Sequence, residues 1–478
     1  MNYRMIRNIL GWLLIFECGF MLVPAATAIV YRESAGLWFL MTMLLCGGIG
    51  ALCIWRRPKN SVLYARDGFV IVALSWIVLS MFGALPFFLS GCIPNYVDAL
   101  FEAASGFTTT GASILTAVEP LPRCMLMWRS FTHWVGGMGV LVFIMAFVPL
   151  SGGQNMHIMK AESPGPSVSK LVPRVKTTAL ILYSIYLALT FIEFIFLLCG
   201  GLSPFEALST SFGTAGTGGF GLKNDSLGSY SPYVQIVVTV FMLLFSINFT
   251  CYYLILLRRF KDAFNAELRF FLGIVAVTIL IITLNVRGMF DTLGDALRNV
   301  SFTVASLIST TGFATVDYNG WPELSRTLLI LVTFTGACAG STCGGIKLSR
   351  LLILFRGAFN EIGNMAHPRR VKRIMIDKHP LEPEVIRTTN VYITWYVLLF
   401  FLSFVLISFD NHDLVTNFTA VAATFNNVGP GLGLVGPAGN YAFFSIPSKL
   451  VLIFDMLAGR LELFPMLVLF APSTWKRS

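Results

Sequence analysis

The chain has 478 residues, of which 56% are hydrophobic and only 12% are charged, and its mean hydropathy is +0.75. Because a soluble globular domain carries about 25% charged residues, this composition excludes an ordinary soluble protein and predicts one that lies largely in lipid. The net charge of +10 does not indicate nucleic-acid binding, since the basic residues cluster in alternate loops and thereby predict which loops face the cytoplasm.

Two apolar stretches open the chain, at residues 10–30 and 37–55. A membrane-spanning helix needs about 20 mostly apolar residues, so residues 1–66 are predicted to hold two transmembrane helices. The basic N-terminus resembles a signal peptide, but the apolar run is longer than a signal core, and we interpret it as a retained helix.

After these two helices, one unit occurs four times. A long apolar helix is followed by a short semi-polar segment, a turn rich in Gly and Thr, and a second long apolar helix. The repeats are placed at residues 67–152, 177–260, 267–357 and 388–478, with a basic cytoplasmic loop at 358–387, and their second helices at 125–150, 234–257, 328–355 and 448–470. The predicted fold is an all-α polytopic membrane protein with four pseudo-symmetric helix–pore-loop–helix repeats around a central pore, preceded by two extra transmembrane helices.

The short segments are N-capped helices that are too short to cross a bilayer. Irregular backbone at membrane depth is tolerated only where it is buried in protein or lines a watery cavity, so the four turns are predicted to share one axis. Carbonyl dipoles and helix C-termini on that axis can replace the hydration shell of a potassium ion. The predicted potassium-binding residues are Thr109, Thr110 and Gly111; Thr217, Gly218 and Gly219; Thr310, Thr311 and Gly312; and Asn427, Val428 and Gly429.

The second turn allows two registers. Its Thr-Gly-Gly-Phe sequence matches Thr-Thr-Gly-Phe of the third repeat and favours Gly219, whereas counting from Phe212 favours Gly216. The sequence leaves both open.

A run of small residues at 335–345 interrupts the last helix of the third repeat. Close helix packing is one explanation, and an unwound, movable segment below the ion site is the one we favour. The residues assigned to gating are Gly336, Gly340, Gly344, Gly345, Lys347 and Arg460. Arg460 lies in the last helix near Asp455 and Glu462, so the sequence allows either a structural ion pair of these carboxylates or electrostatic tuning of the pore.

The four turns and their order resemble those of the Trk/Ktr/HKT superfamily of cation transporters, and the ending Leu-Ala-Gly-Arg460-Leu-Glu-Leu-Phe resembles its bacterial TrkH/TrkG branch. The resemblance covers essentially the whole chain. It implies filter glycines at Gly111, Gly219, Gly312 and Gly429, a gating loop at residues 336–345 and an intramembrane arginine at Arg460. It further implies a homodimer in the bacterial inner membrane and a cytosolic, TrkA-like nucleotide-binding regulatory subunit.

An enzyme is not expected, because the five histidines are dispersed and form no cluster with catalytic or metal-binding spacing. No cofactor is expected, and potassium is the expected substrate. A proton- or sodium-coupled symporter is the alternative to a gated channel, since Glu17 and Glu193 lie within apolar spans and could titrate.

Overall fold

The structure, a computed structural model, describes residues 1–56, 63–139, 175–367, 374–377 and 379–475. These residues are almost entirely helical. The exception is a two-residue antiparallel pair of strands, β1 (Met375–Ile376) and β2 (His379–Pro380). Six helical segments of the described part are long and apolar enough to cross a membrane. The prediction of an all-helical, polytopic membrane protein is therefore confirmed.

The two extra helices precede the repeats. Helices α1 (Tyr3–Phe20) and α2 (Leu22–Tyr31) together form one apolar span, and α3 (Gly36–Ile54) forms the next. The backbones of α1 and α3 approach closely where both carry glycine, because a Cβ atom on Gly50 would lie 2.9 Å from the carbonyl oxygen of Gly11.

The remaining helices follow the fourfold plan. Repeat 1 holds α4 (Ala65–Gly83), α5 (Leu85–Leu89), α6 (Tyr96–Phe107) and α7 (Arg123–Gly137). Repeat 2 holds α8 (Val175–Cys199), α9 (Pro204–Ala215), α10 (Pro232–Phe245) and α11 (Phe249–Leu256), followed by the short α12 (Phe260–Ala263). Repeat 3 holds α13 (Ala266–Val286), a 3-10 turn (Arg287–Met289), α14 (Leu293–Ile308), a second 3-10 turn (Tyr318–Gly320), α15 (Glu323–Thr335) and α16 (Leu348–Ala366). Repeat 4 holds α17 (Pro383–Ile407), a 3-10 turn (Ser408–Asp410), α18 (Leu414–Phe425), another 3-10 turn (Gly433–Val435), α19 (Ile446–Arg460), α20 (Phe464–Phe470) and α21 (Pro472–Trp475).

In repeats 2, 3 and 4 the second helix is not the continuous span that the apolar pattern suggested. In repeat 2 the chain turns by 89° between α10 and α11, so the single helix predicted at residues 234–257 is wrong. The break forms because Asn248 caps α11, its side-chain oxygen accepting from the Thr250 amide at 2.8 Å, and because Ser246 and Phe249 bond to a loop of repeat 3.

The predicted helix at residues 448–470 is also wrong. It divides at Arg460, after which Glu462 and Leu463 have φ angles of 55° and 66° and α20 begins. In repeat 1, α7 ends at Gly137, and residues 140–150 of the predicted helix lie outside the described residues. In repeat 3 the helix is interrupted between α15 and α16, where small residues predicted a break.

The four short helices α6, α9, α14 and α18, which we call the pore helices, close the repeats into a ring. Each packs against the second helix of its own repeat. Each also packs against the second helix of the preceding repeat: α9 against α7, α14 against α10, α18 against α15, and α6 against α19. The last contact joins the fourth repeat to the first, so the repeats surround a single axis.

The basic loop predicted at residues 358–387 is only partly described. Helix α16 continues through its first residues to Ala366, and α17 begins at Pro383. Five of its basic residues lie outside the described residues: Arg369, Arg370, Lys372, Arg373 and Lys378.

Candidate functional site

The four pore helices end in the same backbone motif. After each helix, one residue adopts a left-handed conformation: Thr109 (φ 56°), Thr217 (φ 53°), Thr310 (φ 53°) and Asn427 (φ 55°). The amide of the following residue then bonds to the carbonyl five residues earlier: Thr110 to Ser105, Gly218 to Gly213, Thr311 to Ser306 and Val428 to Ala423, at 2.8–2.9 Å. This is the Schellman cap, which satisfies carbonyls at a helix C-terminus.

The third residue of each turn is a glycine with a positive φ angle. The values are 78° for Gly111, 82° for Gly219, 85° for Gly312 and 90° for Gly429. Gly216, in contrast, has φ −70° and is the C-cap of α9. Gly219 therefore occupies the position equivalent to the other three glycines, and the structure resolves the register that the sequence left open.

The four turns touch one another in cyclic order. A Cβ atom added to each glycine would collide with the carbonyl oxygen of the middle residue of the neighbouring turn: Gly111 with Gly218, Gly219 with Thr311, Gly312 with Val428, and Gly429 with Thr110. Only glycine fits at all four positions, because both the positive φ angle and the carbonyl contact exclude a side chain. The turns thus form a closed ring in which the middle carbonyl of each turn contacts the glycine of its neighbour.

The first residue of three of the four turns is a threonine in a strained backbone conformation. Glycine normally occupies this position of a Schellman cap, and a β-branched residue with positive φ is an outlier that costs roughly 1–2 kcal/mol. The hydroxyl of Thr310 accepts a hydrogen bond from the backbone amide of Gly344 at 2.8 Å. The side-chain amide of Asn427 donates to the Thr110 hydroxyl at 3.0 Å. Strained backbone of this kind concentrates at functional sites.

A buried ion pair lies behind the ring. Arg129 of α7 donates to Glu102 of α6 at 2.8 Å, with both side chains at most 2% exposed. Glu102 also accepts from the Ile114 amide at 3.1 Å, and Arg129 donates to the Gly221 carbonyl at 3.2 Å. The pair therefore ties the outer ends of the first and second turns together.

His133 joins the same two turns on the inner side. Its Nδ1 atom lies 2.8 Å from the Gly106 carbonyl, and its Nε2 atom accepts from the Phe220 amide at 3.3 Å. This pair of contacts requires a neutral ring that carries its proton on Nδ1. The imidazole ring of His133 is fully buried.

Sequence reasoning did not single out these supporting residues. Glu102 is 1% exposed and paired with Arg129. The available signal was Arg129, an intramembrane charge in an apolar helix that implies a partner, as Arg460 does.

The segment at residues 336–347, which we call the intramembrane loop, lies directly below the ring. Besides the Gly344 contact to Thr310, its backbone bonds to the break between α10 and α11: the Cys338 amide donates to the Ser246 carbonyl at 3.2 Å, and the Gly340 carbonyl accepts from the Phe249 amide at 3.1 Å. Gly336, Gly340 and Gly345 have φ angles of 63°, 72° and 76°. The loop is therefore an irregular segment held by specific hydrogen bonds.

Arg460 contacts this loop. Its guanidinium donates to the Thr342 carbonyl at 2.6 Å and, from the other side, to the carbonyls of Gly136 and Gly137 at 2.6 and 2.7 Å. It thus connects the loop to the end of α7.

The sequence allowed a structural ion pair of Asp455 or Glu462, and the structure contains one at Glu462. Glu462 pairs with Arg350, and Asp455 accepts from the Ser403 hydroxyl at 2.6 Å. Lys347 is 1% exposed, with its ammonium bonded to the Cys343 carbonyl, so it lies inside the protein instead of at the cytoplasmic surface.

Glu17 and Glu193 are both fully buried. Within the described residues, the carboxylate of Glu17 has no hydrogen-bond partner. Glu17 lies beside Gly83 of α4, and Glu193 faces Thr214 of α9.

Known proteins share this architecture and sequence. The TrkH family model, described as "Cation transport protein", matches residues 37–477. The chain is 36% identical over 485 residues to the Trk system potassium uptake protein TrkH of Salmonella typhimurium, with 100% of both chains covered. It is 32% identical to the corresponding TrkG protein of Escherichia coli, with 99% of both covered. The crystal structure of the potassium transporter TrkH from Vibrio parahaemolyticus superimposes with a TM-score of 0.89 at 34% identity, covering 100% of each chain.

Proposed function

The chain belongs to the TrkH family of cation transport proteins, and from this premise we propose that potassium crosses it through the ring formed by the four turns. It is a multi-pass transporter of the potassium uptake type and not an enzyme, and its relatives place it in the bacterial inner membrane.

The cyclic contact of the four glycines with the carbonyls of the neighbouring turns carries the filter proposal. Backbone carbonyls at one level can replace the hydration shell of a large monovalent cation. The four pore helices also direct their C-termini at this ring, and their macrodipoles add partial negative charge there. Both effects favour a cation without any charged side chain in the ring.

The test is a flux assay on the purified protein in liposomes with potassium, rubidium and sodium. Gly312→Ala places a methyl group against the Val428 carbonyl and should lower the potassium-to-sodium preference by about tenfold, the equivalent of about 1.4 kcal/mol. Gly201→Ala is the matched control, because Gly201 has the same φ angle of 85° but nothing within 4 Å of the added atom. Equal selectivity in the two variants would remove Gly312 from the filter.

We assign gating to the intramembrane loop together with Arg460. The loop lies below the ring, is bonded to it through Thr310, and contains several glycines that weaken any helical alternative by about 1 kcal/mol each. Deletion of residues 336–345 should raise the basal potassium flux while the selectivity order persists. Arg460→Ala should raise it less, because the loop keeps its other contacts. Wild-type closed-state flux in an inserted deletion variant would place the gate elsewhere.

The proposed partners are a second copy of the chain and a cytosolic, TrkA-like nucleotide-binding subunit docking on the basic loop. Charge reversal at Arg369, Arg370, Lys372 and Arg373 should weaken a pull-down of that subunit in a salt-dependent manner, because exposed charges are screened over about 10 Å at 0.1 M salt. Undiminished binding would reduce the basic loop to a topology signal.

Coupled symport is the second candidate, and the buried carboxyl groups of Glu17 and Glu193 favour it. If a proton is coupled, a pH gradient alone should drive potassium uptake, and Glu17→Gln or Glu193→Gln should abolish the effect. If potassium uptake by the wild-type protein is independent of the pH gradient, symport is excluded and passive permeation is the mechanism.

A further inference from the structure

The carboxylate of Glu267 holds the intramembrane loop from the cytoplasmic end of α13. One oxygen, Oε1, accepts from the Ala339 amide at 2.7 Å and from the Ser349 amide at 3.1 Å. Ala339 lies inside the loop, and Ser349 lies in the first turn of α16, immediately after it. A single carboxylate oxygen therefore fixes the loop to the helix that follows it.

This contact differs in kind from the neutral hydrogen bonds of the loop and, like the Arg460 contact to the Thr342 carbonyl, involves a charged side chain. The bonds to Ser246, Phe249 and Thr310 join neutral groups, whereas the Glu267 contacts are charge-assisted and roughly twice as strong. Within the described ranges, Glu267 supplies the only carboxylate hydrogen-bonded to the loop backbone. Its removal would leave two inward-facing amides without their acceptor.

The residue next to Glu267 is bound to a cytoplasmic element. The Ala266 amide donates to Asp377 at 2.8 Å, and the Arg269 guanidinium lies 3.8 Å from the same carboxylate. Ala266 is the first residue of α13, so its amide has no partner within the helix, and Asp377 satisfies it.

The strands β1 and β2 and the turn between them form what we call the cytoplasmic hairpin, and Asp377 lies in that turn. The hairpin is anchored on the other side by Arg356 of α16, whose guanidinium donates to the Met375 carbonyl. It therefore bridges α13 and α16, the two helices that Glu267 also links. The hairpin and the intramembrane loop are thus bound to consecutive residues of α13, Ala266 and Glu267.

We propose that the first turn of α13 is a latch, in which Glu267 retains the intramembrane loop while Asp377 holds the turn in place, so that displacement of the cytoplasmic hairpin releases the loop. Glu267 is a positioning residue, since it acts through the loop. The inference rests on the proposed gating function for its consequence on flux, but the retention of the loop can be measured without flux.

The experiment measures modification of Cys338 and Cys343, two loop cysteines that are each 1% exposed. A charged methanethiosulfonate is applied to inside-out vesicles of the full chain, and labelling is followed by peptide mass spectrometry. Glu267→Ala should increase the labelling rate of both cysteines by about tenfold, which corresponds to about 1.4 kcal/mol. Cys46, fully buried in α3, should keep its rate and thereby shows that the variant is folded.

Two further variants make the test specific. Asp377→Ala should also accelerate labelling, because the Ala266 amide, next to Glu267, loses its acceptor. Glu267→Gln should give an intermediate rate, since its amide oxygen remains an acceptor. Asp262→Asn is the control, because it removes a carboxylate from an exposed ion pair with Arg259 on the same side of the membrane. Its labelling rates should equal those of the wild type.

The outcomes separate the latch from the gate. Unchanged labelling in Glu267→Ala overturns the latch, whatever the flux does, and unchanged labelling in Asp377→Ala overturns the link to the hairpin. Faster labelling together with higher basal potassium flux supports both the latch and the gate. Faster labelling with wild-type flux supports the latch and overturns the proposed gate.

Discussion

The ion pair between Arg129 and Glu102 allows a quantitative test of how the ring is supported. Removing one partner of a buried pair leaves an uncompensated charge, which costs about 3–5 kcal/mol. We therefore expect Arg129→Met and Glu102→Gln each to destabilise the protein by about that amount. The double variant buries no charge, and it should be more stable than the sum of the two single effects predicts by at least about 2 kcal/mol.

Selectivity should follow a different order from stability. Arg129 donates to the Gly221 carbonyl, two residues beyond Gly219 of the second turn, and this bond is absent from both variants that lack the guanidinium. Arg129→Met and the double variant should therefore both lose potassium preference over sodium. Glu102→Gln should lose less, because its amide oxygen can still accept from the Ile114 amide.

Stability is measured by denaturant unfolding in detergent, and selectivity by competition of sodium with rubidium uptake in liposomes. Asp262→Asn serves as the control, because an exposed pair contributes only about 0–1 kcal/mol. Additive effects in the double variant would show that the two charges do not stabilise each other. Wild-type selectivity in Arg129→Met would refute the assignment of the pair to the ring.

Two further outcomes follow from single contacts. Thr310→Val removes the acceptor of the Gly344 amide and should raise the closed-state potassium flux. Thr109→Val is the control, because it removes the equivalent hydroxyl of the first turn, which has no hydrogen-bond partner among the described residues. Any change in flux common to both variants is then due to the loss of a hydroxyl from a turn and not to the Gly344 contact. Hydrogen bonds from the side chain and backbone of Thr416 lower the pKa of Asp413, the N-cap of α18, below its ordinary 3.8. The carboxylate therefore stabilises fully above that pH and loses its effect as the pH falls through its own pKa, so Asp413→Ala should cost about 1 kcal/mol in unfolding assays at pH 7 and progressively less below 3.8.

By itself, the sequence determined that most of the chain lies in lipid and that one helix–turn–helix unit occurs four times. Apolar length specifies which segments can span lipid, and this is a local property that the first helix of each repeat retains. The four turns were also readable, because Gly111, Gly312 and their equivalents are needed for backbone geometry, which imposes the same residue type in each repeat.

Only the tertiary structure decided what depends on contacts between distant residues. The bend after Phe245 exists because loop residues about 90 positions later bond to the backbone of Ser246 and Phe249. The apolar periodicity of the sequence contains no sign of such a partner. Gly219 replaced Gly216 as the ring glycine because the end of α9 sets which residue reaches the left-handed position. The contacts of Arg129 with Glu102 and of Glu267 with Ala339 form only when separate parts of the chain pack together. Hydrogen bonds act over about 3 Å in space, so they produce no periodic pattern in the sequence that would predict them.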